Sequence, residues 1–275
     1  GNSFVRRTLG VGGYAMDYDQ RGLVVTVKTA QPHDTAWQRF LPTGPVALLP
    51  CHGDFSSIVW TLPNDEAQRL ADLPAESFLR ELNAALGGPA LKRPVQEVPP
   101  LLRPLAMAAD AAMDAVSAAS RRLGSGFVMP PSVTELAGPR ASFPLRLSHA
   151  NSYSKRRAAF VGDAAHTIHP MAGQGLNLGV ADAVKLAQLV NEAAEAGVDV
   201  GSEPVLRDYG RARVAQNVAM QSAVHAIKNL FAADIGPVSW ARNVGMAALN
   251  TMGPLKKPIA QFAFGSSVQL GPIRL

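Results

Sequence analysis

Apolar and polar residues alternate in short runs over the first quarter of the chain, the pattern of a half-buried β-sheet. Residues 23–29 are rich in β-branched side chains, and further extended runs follow at 37–41, 45–49 and 57–61. Turn residues separate the last three runs, with Pro, Thr and Gly at 42–44 and His, Gly and Asp at 52–54. The pattern predicts a first strand and then an antiparallel meander of three strands.

Helical spacing of apolar residues follows and dominates the second half of the chain. Asn64 is the expected N-cap of the first of these helices, and Gly87-Gly88 is expected to end the second. A proline-rich connection is predicted at 89–102, and extended segments return at 142–147 and 157–161. The predicted helices cover 65–73, 74–86, 104–123, 175–196, 203–233, 237–250 and 254–264.

Composition changes this picture little. Of 275 residues, 47% are hydrophobic and only 17% charged, which is ample for a buried core. The net charge is +5, but the basic residues are scattered in pairs rather than in dense runs. We therefore expect no nucleic-acid partner, and the mild basicity suits an anionic cofactor or an acidic membrane face.

The single cysteine, Cys51, excludes an intramolecular disulfide and a thiolate-rich metal site. It ends an apolar run at 46–51, so we expect it in the core. No stretch approaches the ~20 apolar residues that span a bilayer. The N-terminus resembles neither a signal nor a transit peptide and lacks an initiator Met, so we expect a truncated chain.

One segment, from Ala159 to Asp182, carries candidate chemistry. It is predicted to be a buried strand, a loop of small residues after Gly162-Asp163, and a helix that begins near Gly175. A carboxylate at the end of such a strand can accept hydrogen bonds from a ribose or ribityl hydroxyl. Gly173 and Gly175 allow close approach of backbone N–H groups, and a helix N-terminus favours negative charge. The plain alternative is a strand-loop-helix connection without a ligand.

The run from Gly162 to Asp182 resembles the second FAD motif of aromatic-ring flavoprotein monooxygenases, the para-hydroxybenzoate hydroxylase class. Within that class, residues 169–177 have the form seen in ubiquinone-biosynthesis hydroxylases, and residues 36–50 are similar to the substrate-domain signature of the same group. Residues 143–145, His149-Ala150 and Tyr153 also match. The tail at 254–257 is similar to the mitochondrial coenzyme Q member, so the likeness covers nearly the whole chain.

The resemblance implies FAD as cofactor and a set of residues that bind it. Ser3 and Arg6 match the second part of the family's Asp-Gly-x-x-Ser-x-x-Arg motif, whose Asp and Gly are missing, as is the Gly-x-Gly-x-x-Gly motif. We therefore expect the chain to keep the isoalloxazine side of the site and to bind FAD poorly alone. The implied cofactor residues are Arg6, Gly162, Asp163, Pro170, Ala172, Gly173, Gln174, Gly175, Leu176 and Asn177.

The implied fold is α/β (α+β), a para-hydroxybenzoate hydroxylase-like FAD-binding fold without its N-terminal Rossmann half. Residues 1–7 would be a remnant of the FAD-binding domain, and 8–140 a substrate domain with an antiparallel sheet. Residues 141–185 would return to the FAD-binding domain, and 186–275 would form a helical C-terminal region.

The implied reaction hydroxylates the phenolic ring of a polyprenylated ubiquinone precursor with O2, through a flavin C4a-hydroperoxide. No side chain is needed as a nucleophile. The implied partners are that polyprenyl phenol, other coenzyme Q biosynthesis proteins, and an electron source, either ferredoxin with its reductase or NAD(P)H. The implied location is the matrix side of the mitochondrial inner membrane, held peripherally, or else a bacterial cytoplasm or inner membrane. The alternative function is that of a non-catalytic, truncated flavoprotein that acts as a binding or scaffold subunit of a coenzyme Q biosynthetic complex.

Several alternatives stay open at this point. His166 and His169 are two potential metal ligands, although the resemblance implies that His166 structures the loop and that Pro170 and Ala172 lie against the flavin ring. Arg39 either orients a phenolate or carboxylate substrate or is a strand-face charge, and Trp37 and Phe40 line a ring pocket or the core. The apolar segment 237–264 lies on a membrane surface or docks on the protein. No Gly-x-Ser-x-Gly elbow supports a hydrolase.

Overall fold

The computed structural model describes residues 3–88 and 128–232, together with the isolated positions 104, 107, 242 and 245. The chain divides into two compact units. The first, called here the terminal unit, contains residues 1–18, 145–228 and 254–275. The second, the central unit, contains residues 19–144 and 229–253. The terminal unit is therefore built from segments that are far apart in the sequence.

The central unit contains an antiparallel sheet. β2, β3 and β4 pair in sequence order, which confirms the predicted meander. β4 pairs with the part of β1 that begins at Gln20, and β5 pairs with the end of β1 through Val27 and Leu136. The strands are β1 (Gly13–Thr29), β2 (Trp37–Leu41), β3 (Gly44–Pro50), β4 (Phe55–Pro63) and β5 (Val133–Leu136).

Two helices cover one face of this sheet and close the core of the central unit. They are α2 (Asn64–Asp72) and α3 (Ala75–Gly87), both predicted from their apolar spacing. Gly88 is the C-cap of α3, as expected from the glycine pair. The buried cluster combines alternate residues of the strands with residues one helical turn apart, including Leu23, Val25, Val27, Val46, Leu48, Ile58, Leu70, Phe78 and Leu82.

Two expectations in the central unit were wrong. Asn64 is the first residue of α2 rather than its N-cap, because Pro63 ends β4 in an extended conformation and takes the cap position. Cys51 is exposed rather than in the core. The apolar run misleads there because burial alternates along β3, and Cys51 follows the last strand residue, Pro50, at the start of a turn.

Asn83 joins α3 to β5 in the central unit. Its Nδ2 donates to the Val133 carbonyl at 2.9 Å, and its Oδ1 accepts from the Val133 N–H at 2.8 Å. Nδ2 also donates to the Leu79 carbonyl one turn earlier. The amide thus satisfies both backbone groups of a strand residue whose own side chain is 4% exposed.

In its described residues, the terminal unit contains short strands, two tight turns, the short helix α1 and two long helices. Its helices confirm the predictions over 175–196 and 203–233, and β6 confirms the extended segment at 142–147. The elements are α1 (Phe4–Thr8), β6 (Ala141–Ala150), β7 (Ser154–Lys155), β8 (Ala158–Ala159), β9 (His166–Thr167), α4 (Gln174–Glu195) and α5 (Glu203–Ala232), with 3-10 turns at Gly162–Ala164 and Pro170–Ala172. β6 begins in the central unit and ends in the terminal unit.

The buried strand predicted at 157–161 is much shorter than expected. Only Ala158–Ala159 is a strand, and it pairs with β7 in a two-stranded hairpin. Arg157 has a φ of 60°, a left-handed turn conformation in which a strand cannot begin. A 3-10 turn starts at Gly162, so little chain is left for strand pairing.

Some predictions fall outside the described residues. These are the connection at 89–102, the stop at 124–126 and the helices at 104–123, 237–250 and 254–264, apart from the four isolated positions. Within the part of the chain that the structure describes, no helix is both long enough and apolar enough to cross a membrane.

Candidate functional site

The turn at Gly162–Ala164 meets helix α4 at two glycines. Gly162 has a φ of +56°, which favours glycine. A Cβ on Gly179 of α4 would lie 3.4 Å from the Cα of Gly162. A Cβ on either glycine would therefore lie in van der Waals contact with the other backbone, so a larger side chain would have to pack against it.

One helical turn further along α4, Asp182 is fully buried and accepts four hydrogen bonds. Oδ2 accepts from the backbone N–H of Gly162 at 3.0 Å and from Nε2 of His166 at 2.6 Å. Oδ1 accepts from Nε of Arg213 at 2.7 Å and from Nδ2 of Asn217 at 3.0 Å. We call these five residues the Asp182 cluster. Burial alone would raise the pKa of Asp182, but hydrogen bonds from His166, Arg213 and Asn217 outweigh it and lower the pKa to about 2.

Two buried tyrosines extend the cluster. Asn217 Nδ2 also lies 3.2 Å from the hydroxyl of Tyr153, and the hydroxyl of Tyr209 donates to the Phe160 carbonyl at 2.8 Å. Burial raises the pKa of both tyrosines well above the ordinary value, so both stay protonated. The cluster therefore contains one buried carboxylate that the Arg213 guanidinium compensates, with two neutral tyrosines beside it.

Gln221 lies one helical turn beyond Asn217 on α5. It bonds to β6 and β9, the strands before and after the Gly162–Ala164 turn. Its Nε2 donates to the carbonyls of Ser148 on β6 and Thr167 on β9, at 2.9 and 2.8 Å. Both amide hydrogens are therefore used, and Oε1 is left to accept from Nδ1 of His149 at 3.1 Å. Burial lowers the pKa of His149, which favours its neutral form.

The N-terminus of α4 has the properties of an anion site. Gly173 precedes it with a φ of 61°, and no side chain caps the helix. A Cβ on Gly173 would meet nothing within 4 Å, so the space beside it is open. Leu176 and Asn177 in the first turn are exposed. The positive end of the helix dipole therefore faces an accessible region, which fits the negative charge of reduced flavin.

His169 begins the turn that leads into α4. Its ring is fully buried, and Nδ1 accepts a hydrogen bond from the N–H of Met171 at 3.2 Å. The ring of Tyr18 packs against it edge to face, with centroids 5.0 Å apart. Burial, together with the charges of Lys228 and His225, lowers the pKa of His169 to about 4.

The structure brings most of the sequence-predicted cofactor residues together. Pro170 to Asn177 form one continuous turn and helix start, and Gly162 contacts the same helix at Gly179. Arg6 contacts the turn at Gly162–Ala164, since its Nη1 donates to the carbonyl of Ala164 at 3.2 Å. Asp163 is exposed, and within the described residues its carboxylate forms no hydrogen bond or ion pair. Its predicted contact with a flavin hydroxyl stays a prediction.

Sequence reasoning missed the polar residues that support this turn from α5. The pattern that identifies them is a four-residue repeat of buried polar side chains in a helical segment, namely Tyr209, Arg213, Asn217 and Gln221. Such a stripe lies along one face of a helix. Large polar groups on a buried helix face need partners, which indicates a buried network.

The structure shows specific contacts for four residues whose roles the sequence left open. His166 Nε2 is bonded to Asp182, and no group of metal ligands occurs in residues 3–88 or 128–232. In the central unit, Arg39 donates to the Ala85 carbonyl at 3.1 Å, and Trp37 lies in the core with Nε1 bonded to the Val128 carbonyl. Phe40 is exposed, and its ring stacks on the ring of Phe231 with centroids 4.0 Å apart.

Comparisons with known proteins agree with the flavin interpretation. Residues 118–223 match the FAD binding domain family. The proteins named "Ubiquinone biosynthesis monooxygenase COQ6, mitochondrial" from Danio rerio and Homo sapiens are each 36% identical to the chain over 95% of its length. The chain spans about half the length of these curated relatives, 53% and 55% respectively.

Solved structures show the same fold. The p-nitrophenol 4-monooxygenase PnpA from Pseudomonas putida DLL-E4 aligns over 96% of this chain and 57% of its own, with 17% identity and a TM-score of 0.62. The Diels-Alderase PyrE3 aligns over 96% of this chain and 48% of its own, with 21% identity and a TM-score of 0.57. Because this fold also serves a Diels-Alderase, it does not by itself specify hydroxylation.

The predicted resemblance to ubiquinone-biosynthesis monooxygenases is therefore confirmed, as is the flavoprotein hydroxylase fold. FAD is the cofactor of the domain family that matches residues 118–223. That match includes the Gly162–Ala164 turn, the N-terminus of α4 and the polar stripe of α5.

Proposed function

We propose that this chain supplies the reactive-end half of the flavin site of an FAD-dependent monooxygenase, which hydroxylates the phenolic ring of a polyprenylated ubiquinone precursor. The observation that carries the proposal is the uncapped N-terminus of α4 beside the open space at Gly173. The similarity to mitochondrial ubiquinone-biosynthesis monooxygenases supports the substrate class.

The chain's own residues have two tasks in this proposal. The N–H groups of the first turn of α4 stabilise negative charge on the bound ring, and the glycines let the ring approach the backbone. The Asp182 cluster keeps the Gly162 turn and α4 in fixed positions, so that these donors are already oriented when the cofactor binds. When bound and reduced, FAD supplies the activation of O2.

A flavin titration tests the proposal on the 275-residue chain. If the chain binds only the isoalloxazine and ribityl side, titration by flavin fluorescence should give similar, weak affinities for riboflavin, FMN and FAD. ADP should not compete with any of them. A micromolar or tighter affinity for FAD alone, or competition by ADP, contradicts this division of the site. No binding of any flavin at millimolar concentration sinks the proposed function.

Two glycines on α4 provide a matched pair of variants. Gly173 and Gly197 flank opposite ends of α4, have φ values of 61° and 66°, and both face open space. Alanine therefore strains the backbone similarly at each, by about 1 kcal/mol. Gly173→Ala should weaken FMN binding because its methyl group enters the space reserved for the ring, whereas Gly197→Ala should not. Equal effects of the two changes contradict the placement.

The remaining partners belong to this proposal as well. The curated relatives are named as mitochondrial, and we propose peripheral contact with the inner membrane on its matrix side. Electrons come from ferredoxin with its reductase or from NAD(P)H, within an assembly of coenzyme Q biosynthesis proteins. Liposome flotation with and without residues 237–275 tests the membrane contact. Loss of flotation only in the shortened chain is expected, and flotation of neither chain contradicts it.

A further inference from the structure

His169 holds the turn that precedes α4 through its contact with Met171, and the flavin proposal assigns neither residue a part. Met171 lies between Pro170 and Ala172, the two residues that the family resemblance places against the flavin ring. Its side chain is buried against Leu178 of α4 and against Met220 and Val224 of α5. Its N–H donates to Nδ1 of His169. Met171 is therefore fixed at both its side chain and its backbone.

His169 acts as the N-cap of this turn. Its backbone is extended, with φ −60° and ψ 132°, and its side chain accepts from the N–H two residues later. Asn, Asp, Ser and Thr are the usual residues for this geometry. Because Nδ1 is the acceptor, the proton of the neutral ring lies on Nε2. That second nitrogen is buried and has no hydrogen-bond partner in the described part of the chain.

The surroundings of His169 favour its neutral form. Tyr18 of β1 packs against the ring, and the Tyr18 hydroxyl lies 3.4 Å from Nδ1 of His225 on α5. The Lys228 ammonium, also on α5, lies 5.1 Å from the centre of the Tyr18 ring. A proton on Nδ1 would remove the acceptor for Met171 and add a buried charge beside Lys228.

We propose that His169 is a positioning residue for the flavin: neutral His169 holds the Pro170–Ala172 turn through Met171, and protonation releases it. This inference rests on the proposed function for the identity of the ligand. The hold on the turn is a property of the chain alone and is measured without flavin.

Three variants of His169 distinguish the role of Nδ1 from that of Nε2. Asparagine places an amide oxygen near Nδ1 and cannot be protonated, glutamine places its amide near Nε2, and leucine keeps bulk without an acceptor. Hydrogen exchange of the Met171 amide should be unchanged in His169→Asn. It should be faster on the order of tenfold in His169→Leu and His169→Gln, as expected for the loss of one buried hydrogen bond.

An acid titration tests the requirement for neutrality. After correction for intrinsic exchange, the Met171 amide of the wild-type chain should lose protection as the pH falls from 6.5 towards 4, whereas His169→Asn should show no such loss. In Lys228→Met the loss should begin at higher pH, because one cationic neighbour is gone. Circular dichroism at 222 nm verifies that each variant keeps α4 and α5.

The outcomes distinguish this inference from the proposed function. Unchanged exchange in His169→Leu, or a rescue by glutamine rather than asparagine, overturns the role of Nδ1. If the exchange results hold, FMN affinity should be retained in His169→Asn and fall on the order of tenfold in His169→Leu. Equal FMN affinity in these two variants overturns the positioning role, whereas failure of the wild-type chain to bind any flavin refutes the proposed function.

Discussion

Replacing Asp182 by asparagine is the most informative single change in the terminal unit. Asparagine has nearly the same size as aspartate, so the perturbation is electrostatic rather than steric. It removes the negative charge that faces Arg213, whose side chain is 5% exposed. It also replaces one acceptor oxygen by an NH2 group, which must then face either the donors on Oδ1 or those on Oδ2.

The expected loss in free energy of unfolding follows from the charge of Arg213, which the change leaves without a partner carboxylate. Breaking a buried ion pair by removing one partner typically costs about 3–5 kcal/mol, because the other charge stays buried without compensation. The amide oxygen can still accept from one pair of donors, so we expect a loss near the lower end, about 3 kcal/mol. That is a large share of the 5–15 kcal/mol that is typical of a folded domain.

Urea unfolding followed by circular dichroism at 222 nm measures the change, since α4 and α5 supply much of the helix. The control is Asp163→Asn, which removes the same charge from an exposed residue without a hydrogen bond in the described chain and should alter stability by less than about 0.5 kcal/mol. Hydrogen exchange of the Gly162 amide gives a local measurement, because this N–H donates directly to Asp182.

A double-mutant cycle with Arg213→Met completes the experiment. If Arg213 is costly only when unpaired, Asp182→Asn with Arg213→Met should be more stable than the sum of the single changes predicts, by at least about 1 kcal/mol. Strict additivity would refute the argument that the two charges compensate each other. A loss below about 1 kcal/mol in Asp182→Asn would equally refute it.

Three further predictions concern other features. The folded-state pKa of His169, about 4, lies below its ordinary value, so its contribution of roughly 3 kcal/mol is complete above pH 6.5 and is lost as the pH falls towards 4. A series of urea unfolding curves at different pH measures it, and in His169→Asn the free energy of unfolding should change less between pH 6.5 and 4. Gly179→Val should destabilise the terminal unit by about 1–3 kcal/mol, because its side chain would meet Gly162; a neutral thermal melt would contradict this. Asn83→Leu should cost about 2 kcal/mol in the central unit, because both backbone groups of Val133 lose their partner; unchanged exchange of the Val133 amide would show otherwise.

Much of the central unit could be predicted from its sequence because its determinants are local. Alternation along a strand and apolar spacing along a helix are visible in single segments, and β2, β3, β4 and α3 all follow them. The failures at Asn64 and Cys51 occur at the ends of elements, where a neighbouring proline and the phase of alternation decide the outcome.

The candidate site was only partly predictable. Residues 162 and 170–177 form a contiguous motif, so the turn and the helix start could be recognised directly. The groups that hold them are distant in sequence: Asp182 and Arg213 are 31 residues apart, and Gln221 and Ser148 are 73 apart. Spacing of four along α5 shows that these side chains share a face, but no local pattern indicates which partners they meet.

The arrangement of segments in the two units has a consequence for the order of events on the ribosome. Strands β1 to β5, which begin the sheet of the central unit, have been synthesised by residue 136. Asp182 emerges later, and its compensating guanidinium follows only at residue 213. At about 5–20 residues per second, a nascent chain would hold this carboxylate without its partner for seconds. We therefore expect the central sheet to form first during synthesis, and the terminal unit to close only after α5 has left the exit tunnel.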